Sequence, residues 1–238
     1  SGKGRFPEIN QIYGKIIQVL SSQRTTSLSG KKILITAGGT IEDIDPVRYI
    51  SNRSSGRTAF AFAEAFISMG AKVHIIAGHV SERVLDDFSS KFGTTCITSV
   101  RSAADMKKAV DDNFENCDIL FMCAAVADYK PNYSNHKIKK ADGNMTLELS
   151  RTNDILCSLN KPDNKIIIGF AAETDNVEEY ARKKLEKKNL DFVIANKVCG
   201  EESAIGGEKS GLMLFSQKNN EPFIFPYSAK TENAFIMV

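Results

Sequence analysis

The stretch KKILITAGGTIEDIDPVRYISNRSSGRTAFAFAEAFISMG, Lys31 to Gly70, decides the fold. It opens on a short apolar strand, Lys31–Ala37. It closes on an alanine- and phenylalanine-rich helical face with a serine expected at the N-cap and Gly70 at the end. Between them runs a polar connection, Thr36–Arg57, about three times the roughly 2–6 residues such connections usually take.

The same alternation of periods continues outward. KVHIIAG and TTCITSV read as the second and third strands, and SAADMKKAVDDNFENC as an amphipathic helix capped by Ser102. DILFMCAAVAD is a buried strand running into a polar loop. After the interlude KIKKADGNMTLELSRT come the strand KIIIGFAAET, the charged helix NVEEYARKKLEKKN and the strand LDFVIANKV. GLMLFSQ and PFIFPYSA close the chain as a hairpin around KNNE, before a last helix from Thr231. Strand–helix–strand repetition with continuously apolar strands predicts an α/β fold: a Rossmann-like, mostly parallel sheet with helices on both faces, plus a C-terminal β-hairpin. Residues 1–30 are expected to form an N-terminal helix (apolar face Ile9, Ile12, Ile16, Val19, Leu20) and a linker, and residues 31–238 one domain.

Composition narrows the class. A hydrophobic fraction of 42% and a charged fraction of 25% suit a globular domain with a real core. The net charge of +2 advertises neither nucleic acid nor an acidic membrane surface. No apolar run approaches the roughly 18 residues of a membrane span, and no signal peptide opens the chain. The cysteines are scattered without CxxC, which suits small core residues in a reducing cytoplasm. The histidines show no HxxxH or HExxH spacing, so no metal ligands are assigned.

Ligands of open α/β sheets bind beyond the carboxyl ends of strands, which directs attention to the loops after Ala37, Val126, Phe170 and Ala195. Gly38 and Gly39 could let backbone N–H groups approach phosphate oxygens, although the turn is not GxGxxG and no acid ends the second strand. Ser54, Ser55 and Gly56, at the start of the next helix, form either a second anion site or an ordinary cap. Ala124 and Ala125 would let a flat ligand lie against backbone, followed by Asp128. Lys137, Lys139 and Lys140 stand on a polar flap that could close over a triphosphate. Phe170 could stack on a base, Lys184 and Lys188 share one helix face, and Asn196 stands at another strand end as a candidate substrate contact. No Ser–His–Asp or Cys–His arrangement is evident. Such a set suits charge stabilisation and positioning, with substrates that bring their own nucleophiles, as in nucleotidyl transfer. An NAD(P)-dependent oxidoreductase and a non-catalytic nucleotide-sensing module are the alternatives.

Four segments together, ITAGGTIEDIDPVRYISNRSSGR, CAAVADYKP, KIKK and GFAAETDNVEEYARKKLEKKNLDFVIAN, resemble the bacterial phosphopantothenate–cysteine ligase family, over about Lys31–Thr231. The resemblance implies that CTP, with magnesium, activates the carboxylate of 4′-phosphopantothenate to an acyl-cytidylate, and that the amine of L-cysteine then displaces CMP. It implies that Asn52 contacts the reacting acyl group, with Arg48, Ala124 and Ala125 serving the second half-reaction, and that Lys137 stabilises the triphosphate. Asp128, Phe170, Lys184 and Lys188 fall on positions similar to the family's CTP contacts. Asp154 stands in TNDI, where the family often has Asn-Pro-Asp-Ile, so its CTP contact departs from the pattern. The family also implies a homodimer, through the strands around MTLEL and the closing hairpin. The N-terminal GRFPEINQI is similar to the linker after a flavin-dependent decarboxylase domain in a bifunctional protein.

Overall fold

A computed structural model describes residues 27–140, 142–198 and 207–238, together with Ile12 and Ile16, both helical. The rest of the expected N-terminal helix lies outside the described residues.

The first strand, β1 (Lys32–Ala37), leads into a small hairpin, β2 (Ile41–Asp43) and β3 (Tyr49–Ser51), and then α1 (Arg57–Ser68). β4 (Lys72–Ala77), α2 (Glu82–Phe92), β5 (Ile97–Ser99), α3 (Ala103–Phe114) and β6 (Ile119–Met122) follow. A ribbon of β7 (Tyr129–Pro131) and β8 (Leu149–Arg151) precedes the short α4 (Ile155–Ser158). β9 (Ile166–Glu173), α5 (Val177–Lys187), β10 (Phe192–Lys197), β11 (Lys209–Ser216), β12 (Phe223–Ala229) and α6 (Lys230–Met237) complete the chain.

The main sheet has eight strands in the order β12-β11-β10-β9-β6-β1-β4-β5. From β5 to β10 all pairings are parallel, whereas β11 joins β10 antiparallel and β12 joins β11 antiparallel. Numbered among themselves, the parallel strands run 3-2-1-4-5-6, the doubly wound order whose chain reverses direction between β1 and β6.

Alternation along the strands separates two cores. Ile33, Ile35 and Phe121 pack with α1, α2 and α6, whereas Leu34, Leu120 and Met122 pack with α3, α4 and α5. α1 is buried nearly all round because it lies between the sheet and two helices. Its Phe62 meets Phe121 edge-on at 5.0 Å, and Phe60 meets Phe88 of α2 at 5.0 Å. Each such ring contributes about 1.5–3 kcal/mol of burial. Glu64, buried in the same helix, is offset by Lys91 of α2 at 2.8 Å.

Three local features differ from the sequence reading. The oversized connection is not a plain loop: Ile41 and Ile44 are buried, and the β2–β3 hairpin is stitched to the start of α3 by a two-pronged Arg101–Asp43 pair at 2.6 and 2.8 Å. The N-cap of α1 is Gly56, in the left-handed region at φ 77°, with no side-chain cap. A Cβ there would stand 2.9 Å from Val80, so close approach to the β4–α2 loop, and not serine capping, sets this helix start. Finally, α2 was not assigned from sequence, although Val84 and Phe88 bury its inner face at helical spacing.

Candidate active site

At the point where the strand order reverses, beyond the carboxyl ends of β1, β6, β9 and β10, a cleft of about 660 Å³ opens. Its floor is the loop after β6, and buried threonines fix that loop. Thr36 Oγ1 accepts from the Ala124 N–H at 3.1 Å, and Thr40 Oγ1 accepts from the Ala127 N–H at 2.9 Å. Thr152 Oγ1 donates to the Ala127 carbonyl at 2.6 Å. Asn52 reaches across from the opening connection, its Nδ2 donating to the carbonyls of Ala125 and Val126 at 3.2 Å each. Ala124, Ala125 and Asp128 line the cleft directly.

The Gly38–Gly39 turn does not line it. The Gly39 N–H donates to the His79 carbonyl at 3.0 Å, and the Ala125 N–H donates to the Gly38 carbonyl at 2.8 Å. A Cβ on Gly38 would fall 2.3 Å from the His79 oxygen. The turn therefore lets three loops pack closely, and its Gly39 N–H is already committed to protein. That corrects the expectation of a phosphate cradle at Gly39. Ser54, Ser55 and Gly56 do line the cleft, at the start of a helix without a side-chain cap.

The far wall comes from α4, β9 and α5. Lys184 donates to the Phe170 carbonyl at 2.6 Å, while the Phe170 ring leans toward Phe121, centroids 6.4 Å apart. Burial pushes the Lys184 pKa down, against the charges of Glu173 and Asp128. Lys188 pairs with Asp154 and touches Cys157 Sγ at 3.2 Å, and burial lowers its pKa too. Asp154 also accepts from the Cys157 N–H at 3.0 Å, capping α4. Asn196 is 4% exposed on the cleft wall, with its Oδ1 buried and without a partner.

Arg48, Asn52 and Lys137 stand outside the cleft lining, Asn52 meeting only the back of its floor through Ala125 and Val126. Arg48 forks onto Asp45 through Nη2 at 2.6 Å and Nε at 3.1 Å, and that guanidinium holds the Asp45 carboxyl far below the ordinary carboxylate range. Lys137 is exposed on the segment between β7 and β8.

Arg53, Arg57, Cys123 and Lys230 also line the cleft and were not singled out from sequence. Burial pushes the Cys123 thiol up to about 12, so it is no thiolate nucleophile near neutrality. Lys230 reaches the cleft only because the closing hairpin returns α6 beside α1, a placement no local motif encodes.

Strand order and crevice together define a doubly wound α/β domain with its ligand cleft at the switch point. The chain belongs to the family described as DNA/pantothenate metabolism flavoprotein C-terminal domain, which it matches over residues 28–238. It is 40% identical over 236 residues to the coenzyme A biosynthesis bifunctional protein CoaBC of Bacillus subtilis, covering 98% of this chain and 56% of that protein. The crystal structure of a CoaBC C-terminal domain superposes with a TM-score of 0.71 at 37% identity, covering 89% of this chain and 94% of that one. A Cab2 mutant in complex with phosphopantothenate-cysteine shares the fold at a TM-score of 0.69 and 15% identity, covering 96% of this chain and 90% of that one. The chain spans about half the length of the curated relatives it matches, 56% of the Bacillus subtilis protein and 52% of the Haemophilus influenzae one.

Proposed function

We propose that this chain is a ligase of coenzyme A biosynthesis. In this reading it joins 4′-phosphopantothenate to L-cysteine with CTP, through an acyl-cytidylate, releasing pyrophosphate and then CMP. The observation that carries the reading is the cleft itself: lysines and arginines around a backbone floor, with Asn52 anchored to Ala125 and Val126. Such a wall can neutralise a triphosphate and position a carboxylate, and Cys123, protonated near neutrality, is unsuited to acyl transfer. The relatedness to CoaBC proteins supports the substrate pair.

In this mechanism Asn52 holds the Ala124–Ala125 floor against the acyl group, and the Arg48–Asp45 fork keeps the Lys137 segment near the site. Lys184 and Lys188 hold the nucleotide along the α5 wall, where Phe170 closes the base end. Lys137 meets the triphosphate when the flap closes. Among the described residues no group of three His, Cys, Asp or Glu side chains could hold a metal. Magnesium would enter as an ion carried by the nucleotide's phosphates, where it would offset their charge, and Asp128 is one carboxylate on the cleft lining that could meet it. A homodimer through the sheet edge is supported by exposed Phe223 and Ile224 on β12, by exposed Leu149 at the start of β8 and by exposed Met145 before it. The bifunctional relatives support fusion to a decarboxylase domain in a longer protein.

The test is pyrophosphate release from CTP and 4′-phosphopantothenate, with and without cysteine, on folded protein. Release in step with amide formation is expected, and no turnover with CTP or ATP would sink the reading. CTP binding without consumption would indicate a sensing module instead. The doubly wound order by itself also suits a nicotinamide cofactor, but β4 ends at Ala77 and is followed by Gly78 and His79, with no acid for a ribose.

A further inference from the structure

Thr152, the residue that follows β8, ties the far wall of the cleft to its floor. Its N–H donates to the Asp128 carbonyl at 2.9 Å, and its Oγ1 donates to the Ala127 carbonyl at 2.6 Å. Thr40 Oγ1 accepts from the N–H of the same buried Ala127 at 2.9 Å. Ala127 is therefore held from both sides, by the opening connection through Thr40 and by the far wall through Thr152. Both of its backbone groups are paired by hydroxyls, as a buried residue requires.

The two bonds of Thr152 also close the neck of the segment that carries Lys137. The chain leaves the floor after Asp128 as β7 and returns before Thr152 as β8. The ribbon pairs only Tyr129 with Arg151, Lys130 with Ser150 and Pro131 with Leu149. So short a two-stranded ribbon is marginal by itself, and its base fixes its direction. Farther out, the Ser134 N–H donates to the Ile44 carbonyl at 2.9 Å. The segment is thus attached both to the opening connection and to the far wall, and Thr152 makes the second attachment.

Asp128 is the point where this neck meets the α5 wall. Burial lowers the pKa of Lys184 and of Lys188, and the charge of Asp128 acts against that at both. Asp154, the partner of Lys188, stands two residues beyond Thr152. Asp128, Thr152 and Asp154 all line the cleft. One threonine therefore fixes the spacing between the floor, where the backbone of Asp128 is bonded, and the wall, where its charge acts.

We propose that Thr152 is a positioning residue for the nucleoside: its hydroxyl, bonded to Ala127, holds the Asp128 carboxylate where it accepts from nucleoside hydroxyl and amine groups. The identity of the nucleotide and its contact with Asp128 rest on the ligase reading. A ribose and an amino-bearing base bring donors that a carboxylate accepts, whereas phosphate oxygens bring none. Thr152 therefore acts on CTP and CMP alike and leaves a free polyphosphate unaffected. It touches no reacting atom.

Calorimetric titrations of the folded protein with CTP, CMP and inorganic pyrophosphate at fixed magnesium test this. Thr152→Val keeps the shape and the N–H and removes the hydroxyl. It should weaken CTP and CMP alike by about five- to tenfold, with pyrophosphate within about twofold of wild type. Thr152→Ser should restore both nucleotides to within about twofold. In turnover the KM for CTP should rise by a similar factor, with single-turnover amide formation within about threefold of wild type. In an Asp128→Asn background Thr152→Val should cost less than about twofold in CTP affinity, because the group it positions is already altered. A lower melting temperature with unchanged CMP affinity would make Thr152 structural only. A full further loss in the Asp128→Asn background would show that it does not act through Asp128, and an equal weakening of pyrophosphate would show that it does not act on the nucleoside. Any of these overturns the assignment. If the wild type binds no CTP, both the assignment and the ligase reading fall. If CTP and CMP follow the expected pattern but no acyl-cytidylate forms, the ligase reading alone falls.

Discussion

Arg48 and Ile138, ninety positions apart, are locked together by Asp45. Arg48 Nη2 donates to Asp45 Oδ2 at 2.6 Å and to the Ile138 carbonyl at 3.0 Å, while the Ile138 N–H donates to Asp45 Oδ2 at 3.1 Å. Asp45 Oδ1 also accepts from the N–H groups of Val47 and Arg48, both at 2.9 Å. The carboxylate is fully buried beneath the guanidinium. The residue after Lys137 is therefore fixed to the connection that carries Asn52, and the ring of bonds holds only while Asp45 is ionised.

Asp45→Asn should lower the melting temperature by several degrees and slow activation more than nucleotide binding, because the flap loses its anchor. The pH dependence has a defined sign. The folded Asp45 pKa lies below the unfolded value of about 3.9, so its contribution is complete above about pH 4 and is lost progressively as pH falls further toward the folded value. Wild-type minus Asp45→Asn stability, measured by thermal melts from neutral pH to about pH 2, should shrink across the acid limb. A constant difference would show that the fork does not depend on the charge.

Asn52→Asp puts a carboxylate against two carbonyl oxygens that now accept from Nδ2. The loop has to move or the acid has to bind a proton, at a cost on the order of 2–3 kcal/mol. Amide formation should slow by about 30- to 100-fold, with pyrophosphate release from the first half-reaction largely spared. Single-turnover measurement of the two steps separates these effects, and loss of pyrophosphate release would move Asn52 into activation.

Gly39 controls where Asn52 sits. A Cβ on Gly39 would stand 2.9 Å from the Asn52 carbonyl oxygen and 3.3 Å from Ser51 Oγ. Gly39→Ala should therefore lower kcat by about tenfold through displacement of Asn52, with a smaller loss of stability. Gly93→Ala is the control: its φ of 78° makes alanine costly by about 1 kcal/mol, yet nothing lies within 4 Å of the added carbon. It should melt lower and turn over normally. Equal kcat in both variants would remove Gly39 from the site.

Much of this architecture was legible because buried parallel strands and amphipathic helices write their periods into the sequence. Ile33 and Leu34 point to different cores, so β1 reads as a continuous apolar run. The cap of α3 is legible at Ser102, and the structure extends it to a reciprocal capping box, with the Asp105 N–H on Ser102 Oγ and the Ser102 N–H on Asp105. Ala124 can be singled out because the switch-point rule names the end of its strand in advance, Ser54 because it opens a helix, and Lys188 because it shares a helix face with Lys184, and all three line the cleft. Lys230 cannot be, since it depends on the antiparallel return of β11 and β12 across β10, which local pattern does not specify. The commitment of the Gly39 N–H to His79 is hidden from the sequence for a related reason. Whether a glycine N–H is open to a ligand depends on the loop opposite, here His79, and the periodicity of the chain says nothing about that contact.

Lys184 is held by burial below its ordinary pKa, yet its ammonium donates to the Phe170 carbonyl at 2.6 Å in the cleft wall. The folded chain therefore gives up this proton at a lower pH than the unfolded chain does. Between the folded value and the unfolded value of about 10.4 the unfolded chain binds more protons, so stability from this group rises with pH across that alkaline window. A bound polyanionic nucleotide reverses the shift by offsetting the charge. Lys184→Met should abolish the alkaline rise and raise the melting temperature near pH 7 by about 1–3 °C, since an apolar side chain of similar length fills the site without desolvating a charge. CTP affinity should fall by about tenfold in the same variant. Melts from pH 7 to 10.5 with and without CTP read both effects. A lower melting temperature at pH 7 would mean that the bond to Phe170 outweighs the burial of the charge, and unchanged CTP affinity would take Lys184 out of the nucleotide wall.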